Sequence, residues 1–312
     1  MILMNRFTRV LTAIAAAAVL LLPSACATTA TTDPADAGKL AIVTSFYPLQ
    51  FVVERVAGGH ASVSNLTTPG AEPHDLELTP RQVASLVRAD FVVYQGGFQS
   101  AVDEGVAQAA PRHVLDVTTV VPLLDTGTHD EAGHSHAADA VDPHLWLDPM
   151  NLATIATEVS RQLGDLDPAH ASDYDEGAAG LITDLTSLDA DFRTGLTGCV
   201  RTQFITSHAA FGYLAKAYGL EQIGITGLAP DAEPSPARIA AVQTLATDLG
   251  VTTIFFETLI SPDTARAIAS DLGLRTDVLD PLEGITAESR GGDYLAVMRA
   301  NLTALMTANG CP

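Results

Sequence analysis

Nine histidines, at positions 60, 74, 113, 129, 134, 136, 144, 170 and 208, and three cysteines, at 26, 199 and 311, carry most of the metal-binding capacity of this 312-residue chain. A neutral imidazole is the commonest nitrogen donor to a borderline cation such as zinc, and it also shuttles protons near neutrality. No His-Glu-x-x-His pair is present, so the helical metalloprotease arrangement is absent. Context separates the histidines. His74 lies in Thr68-Pro69-Gly70-Ala71-Glu72-Pro73-His74-Asp75, past a strand signal and before a helix signal. His144 lies in Asp142-Pro143-His144-Leu145-Trp146-Leu147-Asp148-Pro149, and His208 follows the apolar run Phe204-Ile205-Thr206. Asp280 ends the run Val278-Leu279-Asp280. All four sit at the carboxyl end of a predicted strand or just before a helix, the edge where open α/β sheets place ligands. Their separations of 70, 64 and 72 residues match no local zinc motif, so spacing alone does not select them.

Three imidazoles and one carboxylate would suit a tetrahedral zinc ion, whereas octahedral manganese favours more oxygen donors. Four protein ligands also fill the zinc sphere and leave no position for an activated water, which argues for binding and not for catalysis. A zinc hydrolase would need an open position and a base, and Glu257 and Glu283 are the acids nearest the predicted cleft. Trp146, the sole tryptophan, is expected to pack beside the site, and Asp148 reads as a helix cap. His60 and His170 read as surface residues and His113 as structural.

The elements that must position these residues are legible as alternation. Apolar, β-type runs at 40–46, 64–68, 91–95 and 113–117 recur in the second half at 203–206, 222–226, 252–257 and 276–279. Several are continuous, as in strands covered on both faces of a parallel sheet. Helix starts repeat one device, a capping residue followed by proline: Thr79-Pro80, Asp148-Pro149, Ser235-Pro236 and Ser261-Pro262. Leu181, Leu185, Leu188 and Phe192 keep helical spacing within 168–196, which predicts one long helix between the halves despite Gly177 and Gly180. The fold expected is α/β: two lobes, each with a four-stranded parallel sheet flanked by helices, joined by that linker helix.

Composition narrows the setting. With 16 basic against 37 acidic residues the net charge is −21, which excludes nucleic acid as a partner. Arg6 and Arg9 precede a short apolar run, 10–22, ending in Pro23-Ser24-Ala25-Cys26. Thirteen residues give about 20 Å of helix, too short to span a bilayer, so residues 1–25 read as a cleaved export signal. Ser-Ala-Cys resembles a lipobox with Cys26 as the acylated residue, although Pro23 replaces the usual aliphatic residue; ordinary cleavage nearby is the other reading. Residues 26–38 then form a flexible tether, 39–165 the first lobe, 166–197 the linker helix and 198–312 the second lobe. In an exported protein the remaining pair, Cys199 and Cys311, predicts a disulfide in preference to zinc thiolates, since neither lies near a histidine.

Together these segments resemble a known family. Gly70-Ala71-Glu72-Pro73-His74 through Thr79-Pro80, the Asp142–Pro149 segment, Ser207-His208-Ala209-Ala210-Phe211-Gly212-Tyr213, Glu233-Pro234-Ser235-Pro236 and Leu279-Asp280-Pro281-Leu282 are similar to the motifs of metal-specific solute-binding proteins of bacterial ABC transporters, in order, from about Lys39 to the end. The resemblance implies metal held between the lobes by His74, His144, His208 and Asp280. Manganese members usually carry Glu at the third position, so His208 places the chain with the zinc members; manganese or iron is the alternative cargo, and adhesion a role ascribed to some relatives. It further implies zinc capture outside the membrane by a lipid-anchored monomer, delivery to a permease with its cytoplasmic ATPase, and a metallochaperone as a further partner. The His129, His134 and His136 segment is shorter than the family's histidine-rich loop and reads either as an auxiliary zinc collector or as a solvated loop. Glu72, beside the first ligand, is expected to face water in preference to adding negative potential or a fifth contact.

Overall fold

The computed structural model describes residues 38–125 and 141–312. Cys26, His129, His134 and His136 lie outside these described residues. The first sheet is built from β1 (Leu40–Thr44), β2 (Ala61–Asn65), β3 (Phe91–Tyr94) and β4 (Val114–Asp116), all parallel, in the order β2-β1-β3-β4. The short β5 (Leu124–Asp125) and β6 (Val141–Asp142) pair antiparallel beside it. The second sheet has β7 (Gln203–Thr206), β8 (Glu221–Gly224), β9 (Thr253–Phe256) and β10 (Arg275–Val278), again all parallel, in the order β10-β9-β7-β8. The expected α/β architecture is therefore present. Backbone pairing continues past the ends of β2 and β8: Leu66 N–H reaches Thr44 O at 2.8 Å, and Ile225 N–H reaches Thr206 O at 2.8 Å. That accounts for the later ends expected from sequence, whereas β2 begins at Ala61, three residues before the expected start at 64.

Period-two alternation sends the central strands into two cores. Ile42, Phe91, Val93, Phe204 and Phe255 face a large core, which also takes in α1 (Tyr47–Ala57), α4 (Pro149–Leu166), α5 (Ala171–Gly195) and α9 (Tyr294–Asn309). The intervening Val43 and Val92 face a separate cluster with α2 (Pro80–Arg88) and α3 (Ser100–Ala109). Ile205 and Ile254 do the same with α7 (Pro236–Asp248) and α8 (Asp263–Leu272). Each sheet thus has a local core on one face and shares one continuous core on the other.

Three of the four cap-proline signals stand as expected. Thr79 makes a capping box with Gln82, Asp148 accepts the Met150 N–H, and Ser235 accepts the Arg238 N–H. At the fourth, Pro262 is itself the N-cap of α8 and Ser261 Oγ accepts the Asp263 N–H at 3.3 Å, so the helix starts one residue later. The long helix runs for 25 residues as α5. Gly177, which looked like a weakness, permits close packing: a Cβ there would lie 2.5 Å from the Val56 carbonyl oxygen and 2.9 Å from that of Arg55 on α1. Cys199 and Cys311 form the expected disulfide, tying the segment before β7 to the end of α9.

Candidate metal centre

His74 lies on the long connection between β2 and α2, where Glu72 Oε1 accepts its backbone N–H at 3.0 Å. His144 precedes the 3-10 turn Leu145–Leu147 that leads into α4. His208 follows β7, and the short helix α6 (Gly212–Tyr218) begins four residues later. The chain after β10 brings the fourth group. Among the described residues, His74, His144, His208 and Glu283 are the set whose ligand atoms all lie within 4.8 Å of one another.

The expectation for Asp280 is corrected by its hydrogen bonds. Asp280 Oδ1 accepts the Leu282 N–H at 2.8 Å, and Oδ2 accepts Ser289 Oγ at 2.8 Å and Thr258 Oγ1 at 3.3 Å. Its backbone is clasped by Asn301, which accepts its N–H at 2.9 Å and donates to its carbonyl at 2.7 Å. Both carboxylate oxygens are occupied in shaping a turn. Leu282, fully buried, adopts φ 60° in that turn, and Glu283 follows it into the cleft. Sequence offered a signal for Glu283, as an acid beside the predicted cleft, but no spacing rule ranked it over Asp280.

Glu283 Oε1 stands 3.3 Å from His74 Nε2, 3.3 Å from His144 Nε2 and 3.5 Å from His208 Nε2. The Nε2 atoms of His144 and His208 are 3.2 Å apart. Zinc–ligand bonds of about 2.0–2.1 Å in a tetrahedron separate neighbouring donors by about 3.3–3.4 Å, which these four donor pairs match. Two outer carboxylates orient the rings. Asp142 Oδ1 accepts the His144 backbone N–H at 2.9 Å and faces its Nδ1 at 2.8 Å. Glu257 Oε1 takes the same two positions on His208, at 3.2 and 2.7 Å. A carboxylate at Nδ1 fixes that nitrogen as the donor and leaves Nε2 free for a metal. Trp146 packs beside the site as expected, its ring 5.2 Å from that of His144 and its Nε1–H donating to Pro281 O at 2.7 Å.

Without a metal the site holds protons instead. Burial opposes a charge on His208, but the Glu257 and Glu283 carboxylates outweigh it and push the imidazole up to about 10. Burial likewise opposes charge on Glu283, and the imidazoles of His144, His208 and His74 overrule it, holding the carboxyl well below its usual range. Glu72 does not simply face water: its Oε2 is buried with no hydrogen-bond partner. Burial, then the neighbouring Glu283 carboxylate, push it up to about 8. His60 and His170 are partly exposed and stack at 4.0 Å, each beside its own aspartate, Asp173 and Asp167. The His113 ring is exposed, and only its carbonyl serves the sheet, accepting the Val92 N–H at 3.0 Å.

Residues 42–308 match the family described as the periplasmic component A of the zinc-uptake complex. The chain is 35% identical to the high-affinity zinc uptake system protein ZnuA of Bacillus subtilis (strain 168) over 300 residues, covering 93% of this chain and 94% of that protein. It superposes on Zn(II)-bound AdcA from Streptococcus pneumoniae with a TM-score of 0.74 and 35% identity, covering 87% of this chain and 58% of the other. The chain therefore spans little more than half of that relative. A laminin-binding protein (Lmb) of Streptococcus agalactiae, described as bifunctional with adhesin and metal-transporting activity, matches with a TM-score of 0.77 and 30% identity over 86% of this chain and 99% of that one.

Proposed function

The chain belongs to the family of periplasmic zinc-uptake components, and from that premise we propose that it captures a single zinc ion between its two sheets and delivers it to an ABC permease with its cytoplasmic ATPase. The ligands are His74, His144, His208 and Glu283. The observation that carries this reading is the convergence of three imidazoles and one carboxylate, with ligand atoms all within 4.8 Å of one another, in a buried pocket. Asp142 and Glu257 hold two of the rings, and Asp280 shapes the turn that presents Glu283.

The protein is a carrier and not an enzyme, because the four donors complete the zinc shell and leave no coordination position for a reacting water. It works as a monomer outside the cytoplasmic membrane, anchored by a lipid on Cys26, with lobes at 39–165 and 198–312 around the linker at 166–197. A metallochaperone is a further partner consistent with this role. Three imidazole donors favour zinc over manganese or iron. Titration of metal-free protein with zinc against a competing chelator tests the reading. A single tight equivalent, hardly rivalled by manganese, is the expected result; equal affinity for manganese, or no tight equivalent, overturns it.

A further inference from the structure

Capture in a buried site requires a way in. The side chains of His144 and His208 are 0% exposed and that of Glu283 1%, whereas His74 keeps 15%. An arriving ion therefore meets the His74 side first. Asp75 from the first half and Asp231 from the second lie near each other on that side, within electrostatic reach of His74.

The sequence repeats one local pattern at two ligands: Glu72-Pro73-His74 and Asp142-Pro143-His144. In both, the acid accepts the histidine's backbone N–H, at 3.0 and 2.9 Å. The shorter Asp142 uses that same oxygen to hold the His144 ring. Glu72 is one methylene longer, and its second oxygen is left buried without a partner. A buried carboxylate oxygen with no donor is unfavourable, and a cation relieves it. Glu72 lies two residues before His74 and holds its backbone N–H, which places it beside the metal centre, yet it is outside the set of atoms lying within 4.8 Å of one another. It is too far out to be a resident ligand and too far in to be a surface charge.

We propose that Glu72 is the transfer carboxylate of this site: its free oxygen takes the hydrated ion on the His74 side and hands it to the three imidazoles and Glu283. This rests on the zinc-capture reading. Each step exchanges one bound water, or the Glu72 oxygen, for a protein donor, and the protons these groups hold without metal pass to water as the ion arrives, so the ion is never stripped of ligands. The same sequence in reverse serves release, and the carboxylate therefore lowers the barrier in both directions.

Stopped-flow zinc association, followed by Trp146 fluorescence, and dissociation into excess chelator test this on the full chain beside Glu72→Gln and Glu72→Asp. Glutamine keeps a carbonyl oxygen for the His74 N–H, so the loop retains its tether. The expected result is that Glu72→Gln slows association and dissociation together, by about tenfold each, the lower end of what a well-placed charge contributes to capture rates. Affinity then changes little, and Glu72→Asp lies between. Unchanged rates overturn the proposal. So does slower association with unchanged or faster dissociation, which marks a steering charge or a permanent ligand. Absence of tight zinc binding by the unaltered protein would instead remove the capture reading itself, with the transfer role falling alongside it.

Discussion

At Leu282 the backbone takes φ 60°, a conformation that a bulky side chain adopts only when its surroundings enforce it. Asp280 supplies that enforcement by accepting the Leu282 N–H, and the reward is the placement of Glu283 one residue later. The two acids consequently respond differently to substitution. Asp280→Asn should weaken zinc binding by about 10–100-fold, the usual effect of losing an outer-shell partner, and Glu283→Gln by more than that. Competitive titration of both variants checks the ranking; equal losses, or a larger loss for Asp280→Asn, would restore Asp280 as a ligand. The three histidines that converge were legible as candidates in the sequence because each lies after a strand signal or just before a helix signal. Glu283 was not, because a turn with a left-handed residue decides which of two nearby acids enters the cleft, and nothing in Asp280-Pro281-Leu282-Glu283 announces that φ. Protonation follows from the same residues. His208 is raised from 6.5 to about 10, and Glu72 from 4.5 to about 8, so between these limits the folded metal-free protein binds more protons than the unfolded chain. Stability must therefore fall as pH rises from about 4.5 to about 10. Glu283, lowered, has its sensitive range below 4.5 and does not oppose this trend. Thermal melts of metal-free protein across that range check the sign, and a Tm that climbs with pH would contradict it. Zinc must also displace the His208 proton, and His144, likewise raised, adds to the release, so calorimetric titrations near neutrality in buffers of different ionisation enthalpy should show at least one proton released per ion.

At the level of elements, α6 begins at Gly212, where the chain passes close to Asp142. A Cβ at position 212 would collide with the Asp142 carboxylate, whose other oxygen holds the His144 ring. Gly212→Ala should displace Asp142 and lower zinc affinity by about tenfold or more, with the fold intact by circular dichroism. Unchanged affinity would mean that Asp142 does not govern His144. This coupling joins the second half of the chain to a ligand of the first and left no trace in sequence beyond the Gly itself. Seven of the eight sheet strands and three of the four cap-proline helix starts, by contrast, were readable to within a residue or two, since alternation and N-terminal caps are local properties, while β2 was expected three residues late. Ser261-Pro262 differed because the serine hydroxyl closes a turn on Asp263 before the helix begins. Gly177 was misleading for a related reason: helix propensity penalises it, whereas the packing of α5 on α1 requires it.

For the whole molecule, the continuous core through α1, α4, α5 and α9 joins both sheets, and no apolar seam separates them. Zinc binding should therefore leave the small-angle scattering curve almost unchanged, with rearrangement confined to the loops that carry the ligands. A marked compaction on adding zinc would show instead that the two sheets close on one another. The Cys199–Cys311 bond closes a separation of 112 residues and adds at most about 4–5 kcal/mol by restricting the unfolded chain. Cys199→Ser with Cys311→Ser should accordingly lower Tm while zinc affinity persists, since neither sulfur belongs to the metal centre. The measurement that bears most directly on the capture reading is a crystal structure of the zinc-loaded protein with anomalous data at the zinc edge. One peak bonded to Nε2 of His74, His144 and His208 and to Glu283, at about 2.0–2.2 Å, is the predicted result. A peak bonded to Asp280 in place of Glu283, or lying away from the three histidines, would contradict it.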